Sequence, residues 1–277
     1  MTISPSTAVP GRTHRREVTG GRPSGVALAA GAVAVAFFAA PLVGLAIRAP
    51  WSSIWDELTA PATVDALRLS LITSVVSTVF CVLFGVPLAW VLARWSFPGR
   101  RLARALVTLP MVLPPVVGGV ALLLAFGRRG FIGARLDEWF GIQLPFSTAG
   151  VIVAQTFVAM PFLVVTVEAA LRSVDPRYED AAATLGARRL TVFRRVSLPL
   201  VFPSIVAGAV LSWARALGEF GATITFAGSF PGRTQTMPLA IFLAFERDPA
   251  AAIALSLVLV AVSIAVLVSL RDRWLHA

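Results

Sequence analysis

The 277 residues are 57% hydrophobic and only 14% charged, with a mean hydropathy of +0.82, which excludes an ordinary soluble domain and points to several membrane spans. All 24 basic residues are Arg, and they give a net charge of +10, but they sit in loops between apolar runs and form no basic stripe interleaved with aromatics, which excludes a nucleic-acid surface. With no Lys there is no Walker A loop and no Schiff base; the single Cys81 allows no internal disulfide, and His14 and His276, at opposite ends, assemble no metal cluster.

Residues 1–24, with Arg12, Arg15, Arg16 and Arg22, read as a disordered cytoplasmic tail. Val26 to Ile47 is apolar and long enough to cross a bilayer. A cleaved signal peptide is the rival, but the apolar run exceeds the roughly 7–15 residues of a signal core, so a retained first span is expected. Trp51, Trp55, Asp56 and Glu57 suit an outer interface. A second span is predicted at about 66–93, followed by a short basic loop at 94–104. The third, about 105–126, contains L-P-M-V-L-P-P-V-V-G-G at 109–119. That composition predicts a kinked or broken helix, tolerated in a membrane where protein or a watery path covers the freed backbone groups. A polar loop with Trp139 precedes a fourth span at about 147–170, which carries Pro161 and Glu168. A fifth span is predicted at about 203–224, a re-entrant-looking segment at 238–245 and a sixth span at about 250–270, before a short tail at 271–277. No internal repeat stands out.

Between the fourth and fifth spans, residues 172–200 read as a water-facing hairpin of two short helices. Asp175 is a good N-cap and Pro176 suits the first helical position. Glu179 and Asp180 lie in or just after the first turn, where the helix dipole favours negative charge. Ala181 to Ala183 propagate the helix, and Gly186 ends it in the left-handed conformation. A second helix is expected from about Arg188 to Ser197, with Pro199 and Pro203 opening the next span. Caps and a Gly stop mark an ordered docking element; a tether needs neither. Arg counts orient the chain: with the N-terminus inside, 16 Arg fall in inner segments and 6 in outer ones. Both termini and the hairpin are then cytoplasmic.

Asp180-Ala181-Ala182, Gly186 and Val196-Ser197-Leu198-Pro199 resemble the "EAA" loop of bacterial ABC importer permeases, E-A-A-x3-G-x9-I-x-L-P. Asp180 stands for the Glu and Val196 for the Ile, and Glu179 keeps acidic character next door. By that resemblance Glu179, Asp180, Ala181, Ala182, Gly186, Ala187, Leu198 and Pro199 belong to a coupling loop that docks on a separate ATPase subunit. The runs at 113–127, 154–162 and 214–242 are similar to the molybdate permeases of that superfamily, with P-G-R-T-Q-T-M-P-L-A-I as the more specific piece. The G-E-F-G core is shared with sulfate and tungstate permeases.

Arg215 and Glu219 are four apart in the fifth span and so share a helix face. Charges inside a membrane pair with one another or line a pathway. Two readings stand: a structural ion pair, or Arg215 lending positive potential to a translocating dianion that Glu219 positions. A tight anion site would hinder release. A path lined by small and hydroxyl residues is therefore expected, with Ser212, Thr223 and Thr225 as candidates. Gly218 and Gly221 permit close helix approach or hinge motion. Cys81 reads as a small buried hydrophobe, and Glu168 as the partner of a loop Arg and not a proton carrier.

The resemblance implies an all-α polytopic protein with the type I ABC importer permease fold: a tail at 1–24, six transmembrane helices within 25–270, and a cytoplasmic C-terminus at 271–277. It implies a multi-pass protein of the bacterial cytoplasmic (inner) membrane, working as a homodimer. Its partners would be two copies of an ABC ATPase subunit, which carry ATP and Mg, and an extracytoplasmic oxyanion-binding protein. No catalytic residue, metal or cofactor is expected in this chain, and no nucleic-acid partner. The cargo would be molybdate, with tungstate as a second oxyanion. Sulfate or thiosulfate is the rival cargo, and an ion-coupled secondary transporter the rival machine.

Overall fold

A computed structural model describes residues 24–274; most of the expected N-terminal tail, residues 1–23, and the last residues, 275–277, lie outside that range. The chain divides into two units at Ile47. The first contains one helix, α1 (Gly25–Ile47), 23 residues with Pro41 inside. At 1.5 Å per residue it is about 35 Å long, enough for a hydrocarbon layer of about 30 Å.

The second unit is helical throughout its described elements. A short α2 (Ile54–Thr59) precedes α3 (Pro61–Arg94), and α4 (Arg100–Val112) is followed after two residues by α5 (Pro115–Phe126). Then come α6 (Gly133–Phe140), α7 (Thr148–Ser173), α8 (Pro176–Thr184) and α9 (Arg189–Val192). A π-helical turn, Phe193–Ser197, runs from α9 into α10 (Leu198–Leu217). The chain closes with α11 (Gly221–Ala227), α12 (Met237–Arg247) and α13 (Pro249–Trp274). Among the described residues, five helical stretches are long and apolar enough to cross a membrane: α1, α3, α7, the run Arg189–Leu217, and Pro249–Val266.

The third predicted span, 105–126, is not one helix. Leu113 (ψ 136°) and Pro114 (ψ 131°) are extended, so α4 stops and a 12-residue α5 restarts at Pro115. The residue before a proline is pushed out of the helical region, and here two such residues follow each other. The fifth predicted span, 203–224, is also discontinuous. Its helix starts earlier, at Leu198, ends at Leu217, and resumes at Gly221.

Three helices make the centre. α3 and α7 lie side by side and parallel: Ser77 meets Gln155, and Arg94 meets Val174 at the other end. α10 runs antiparallel to α7, since Ser212 reaches the Ala159 carbonyl while Gly208 backs onto Leu163. Cys81, Ala89 and Leu92 of α3, Leu163, Val167 and Leu171 of α7, and Val201 and Ala216 of α10 are buried between them. With lipid as apolar as the core, such helices associate through close packing and interhelical hydrogen bonds more than by the hydrophobic effect. A second cluster joins Leu122 of α5, Ala154 and Val158 of α7, and Ala222 and Phe226 of α11. A third joins Ala66 of α3, Met237 of α12 and Leu255 of α13.

Candidate functional site

The hairpin after α7 is built by local rules. Asp175 Oδ1 accepts the Arg177 N–H at 2.9 Å and caps α8, with Pro176 at its first position. At the other end the Gly186 N–H donates to the Ala183 carbonyl at 2.9 Å and the Ala187 N–H to the Ala182 carbonyl at 3.1 Å. This bond pair is a Schellman stop, and it requires the left-handed angle that Gly186 takes, φ +82°. A Cβ at Gly186 would meet nothing within 4 Å, so the requirement is the backbone angle and not space.

The two acidic residues of the hairpin part company. Glu179 turns inward: Arg94, at the end of α3, holds its Oε1 through Nε at 3.0 Å and Nη2 at 2.9 Å, and the Ser197 hydroxyl donates to the same oxygen at 2.7 Å. The side chains of Arg94 and Glu179 are 16% and 19% exposed. Asp180 is exposed. Glu179 thus ties the hairpin both to α3 and to the root of α10, and Asp180 stays free for an outside contact. Tyr178, Leu185 and Leu190 are also exposed, Leu185 at 89%. Large apolar side chains clustered on a hairpin studded with Arg mark a surface that something covers. Ala181 is exposed, while Ala182 and Ala187 are half-buried. Leu198 packs onto the central core, and Pro199 lies in the first turn of α10. Beneath the hairpin a cavity of about 320 Å³ lies against Trp90, Arg94, Trp95 and Phe193, with the Trp90 and Phe193 rings 4.4 Å apart.

A second charged knot lies one turn into the bundle from the same end. Glu168, only 8% exposed, takes Arg104 of α4 at 2.5 Å and Arg172 of its own helix at 2.9 Å. It is a structural ion-paired group, held by two Arg, the role its position predicts.

Deeper in, Arg215 and Glu219 do meet, Nη2 to Oε2 at 2.6 Å, but not on one continuous helix. Arg215 is in the last turn of α10, and Glu219 sits in the break. Its Oε1 accepts the Ala222 N–H at 2.8 Å, supplying a partner that the interrupted backbone has lost. Glu219 is therefore a cap as well as a counter-ion. The two short helices α5 and α11 start side by side here: a Cβ on Gly221 would come within 2.7 Å of Pro115 Cβ, and one on Gly119 within 2.7 Å of Thr225 Cβ. Small residues let these backbones touch. The hydroxyls expected along a path are mostly committed. Ser212 donates to the Ala159 carbonyl at 3.0 Å and Thr225 to the Gly221 carbonyl at 2.8 Å. Thr223 is fully buried and its Oγ1 has no partner.

Sequence reading missed a polar seam through the core. Ser77 of α3 donates to the Ile152 carbonyl and to Gln155 Oε1, both at 3.1 Å. Ser70 Oγ accepts the Met237 N–H at 2.6 Å. The signal was present in the Ser/Thr repeats of α3 (Ser70, Thr73, Ser74, Ser77), all fully buried, which mark the face turned inward. The Arg94–Glu179 clamp had no such signal, because 85 residues separate the partners.

Comparison with known proteins gives the same family. Residues 85–276 match the model of the family described as "binding-protein-dependent transport system inner membrane component". The chain is 55% identical over 221 residues to the molybdenum transport system permease protein ModB of Mycobacterium tuberculosis, covering 80% of this chain and 83% of that protein. It is 42% identical over 207 residues to the sulfate transport system permease protein CysT of Salmonella typhimurium, covering 74% of each. A crystal structure of a bacterial ABC transporter involved in import of the acidic polysaccharide alginate superposes with a TM-score of 0.73 at 18% identity, over 91% of this chain and 94% of that one. The chain belongs to the binding-protein-dependent transport system inner membrane components, multi-pass permeases of the bacterial inner membrane.

Proposed function

We propose that the chain is the permease subunit of an ATP-driven importer that carries molybdate, or the isosteric tungstate, into the cell by alternating access. Two copies line one pathway, and each presents its α8–α9 hairpin to one ATPase subunit, on which ATP and Mg act. The termini and the hairpin face the cytoplasm, as the Arg distribution favours. The observation that carries the docking role is the division between Glu179, clamped inward, and the exposed surface of Asp180, Leu185 and Leu190. A rigid lever needs one end fixed to the spans and the other free to be gripped. Force on the hairpin reaches α3 through Arg94 and α10 through Ser197 and the π turn, which joins the hairpin to the span without a loop. The cargo is taken from the 55% identical molybdenum permease, against 42% for the sulfate one.

The test is uptake by proteoliposomes containing the chain with its ATPase and its extracytoplasmic binding protein. ATP-dependent molybdate uptake, competed by tungstate and not by sulfate, is the expected result. Uptake of sulfate alone would move the cargo to the rival class. Uptake driven by an ion gradient without ATP would overturn the machine itself.

A further inference from the structure

A cavity of about 600 Å³ opens at the end of the bundle opposite the hairpin. Three stretches far apart in sequence wall it: the end of α5 with the loop that follows, the loop before α7, and the loop between α11 and α12. Arg128, Arg129 and Arg233 line it, and no acidic side chain does. Among the described residues none of the three joins a salt bridge. Arg128 and Arg129 follow the C-terminus of α5, where the helix dipole favours cations, which accounts for those two. Arg233 has no such reason to be there; it is carried in by a loop that is firmly held. Thr148 Oγ1 donates to the Arg233 carbonyl at 2.9 Å, and the Phe230 N–H donates to Thr234 Oγ1 at 2.9 Å. Phe146, in the opposite wall, packs edge-on against Phe230, with ring centroids 6.1 Å apart, and does so at φ +58°. A left-handed phenylalanine is strained, and strain persists where the surroundings over-determine it. Three Arg side chains lining one cavity with no acidic side chain make its potential positive and favour an anion there.

We infer that this cavity is an oxyanion-collecting vestibule, where a tetrahedral dianion released at the outer mouth is held by Arg128, Arg129 and Arg233 before it enters the pathway. The inference rests on the oxyanion-import reading above. The volume holds an anion together with on the order of ten waters at about 30 Å³ each, so the ion stays hydrated. Exposed guanidiniums keep the site weak, as onward movement demands. Gln143, the other polar side chain of the wall, is spent on Asp137 at 3.0 Å. Retention therefore depends on charge, and any small dianion is held alike. The function is to keep a delivered ion from escaping to bulk water while the pathway opens.

Two measurements test this. In proteoliposomes of the full transporter, molybdate imported per ATP is compared between wild type, the triple variant R128Q/R129Q/R233Q and the charge-retaining R128K/R129K/R233K. The Gln variant should import about tenfold less per ATP, the low end of electrostatic enrichment in a charged cleft, with the Lys variant near wild type. The difference should vanish near 1 M salt, where the Debye length is about 3 Å. Unchanged stoichiometry in the Gln variant overturns the proposal, as does a loss matched by weaker docking of the binding protein, which would make the cavity a protein-contact surface. Independently, equilibrium dialysis of radiolabelled sulfate and molybdate against the purified chain at low salt should show retention by wild type and loss in the Gln variant; equal retention overturns the vestibule. A wild-type transporter that imports neither oxyanion, yet whose chain retains both in dialysis, would sink the import reading and leave the vestibule standing.

Discussion

Replacing Gly186 with alanine, asparagine or valine separates backbone angle from space at the turn of the hairpin. The position has φ +82° and open space around the missing Cβ, so every substitution acts through the angle alone. A left-handed L-residue costs about 1–2 kcal/mol, with asparagine at the low end, and a β-branched residue approaches about 3 kcal/mol. At about 1.4 kcal/mol per tenfold, valine reduces the population of the stopped turn by about 30- to 150-fold. Losing the turn breaks the Ala187–Ala182 and Gly186–Ala183 bonds and lets α8 and α9 swing apart, which changes the placing of the exposed Leu185 and Leu190. The assay is oxyanion imported per ATP hydrolysed by the reconstituted transporter. The expected order is wild type, then asparagine close behind, then alanine, then valine, with ATP hydrolysis persisting in all. Wild-type coupling in the valine variant would refute the reasoning. Asparagine as poor as valine would refute it too, because the defect would then come from a side chain meeting the partner and not from the angle.

Three further sets of substitutions probe the clamp, the broken span and the helix contact. Glu179→Ala should lower the stability of the detergent-solubilised chain by about 2 kcal/mol, between the surface and buried ion-pair cases, while Asp180→Ala should leave it within about 0.5 kcal/mol and weaken co-purification of the ATPase subunit; the opposite pattern would mean that the two acids are misassigned. Glu219→Gln keeps an acceptor for the Ala222 N–H but strands Arg215, at a cost of about 3 kcal/mol, the low end for a broken buried pair because Arg215 keeps 26% exposure. Adding Arg215→Gln should restore most of that in thermal unfolding, and a strictly additive double mutant would show that the pair is not coupled. Gly119→Ala puts a Cβ at 2.7 Å from Thr225 Cβ and 2.9 Å from the Ala222 carbonyl oxygen, so overpacking of about 1–3 kcal/mol should appear as a lower melting temperature. Gly118→Ala meets only the Phe157 ring edge, at 3.1 Å, and should cost less; equal effects would contradict the close approach of α5 and α11.

Much of this was legible before any coordinates. Apolar runs gave the spans because a bilayer sets their length and forces each backbone group to pair within its own helix. The hairpin was legible because its parts are local: Asp175 as cap, Pro176 at the first position and Gly186 at the stop each act within five residues. Even the break at Leu113–Pro114 was written in the prolines. The break after Leu217 was not. Arg215 and Glu219 sit at helical spacing, and nothing local says that Glu219 would leave the helix to cap the next one.

By itself, then, the sequence determined the class of molecule, the number and order of its apolar segments and the shape of the α8–α9 hairpin, since these depend on solvent preference and on short-range backbone chemistry. The tertiary structure alone decided which of two adjacent acids is clamped and which is free. It also committed Ser212 and Thr225 to backbone carbonyls and left Thr223 without a partner. And it brought Arg233 to Arg128 and Arg129 across about a hundred residues of chain. Each of these is a pairing between distant segments, and residue types carry no address for a partner that only packing brings within reach.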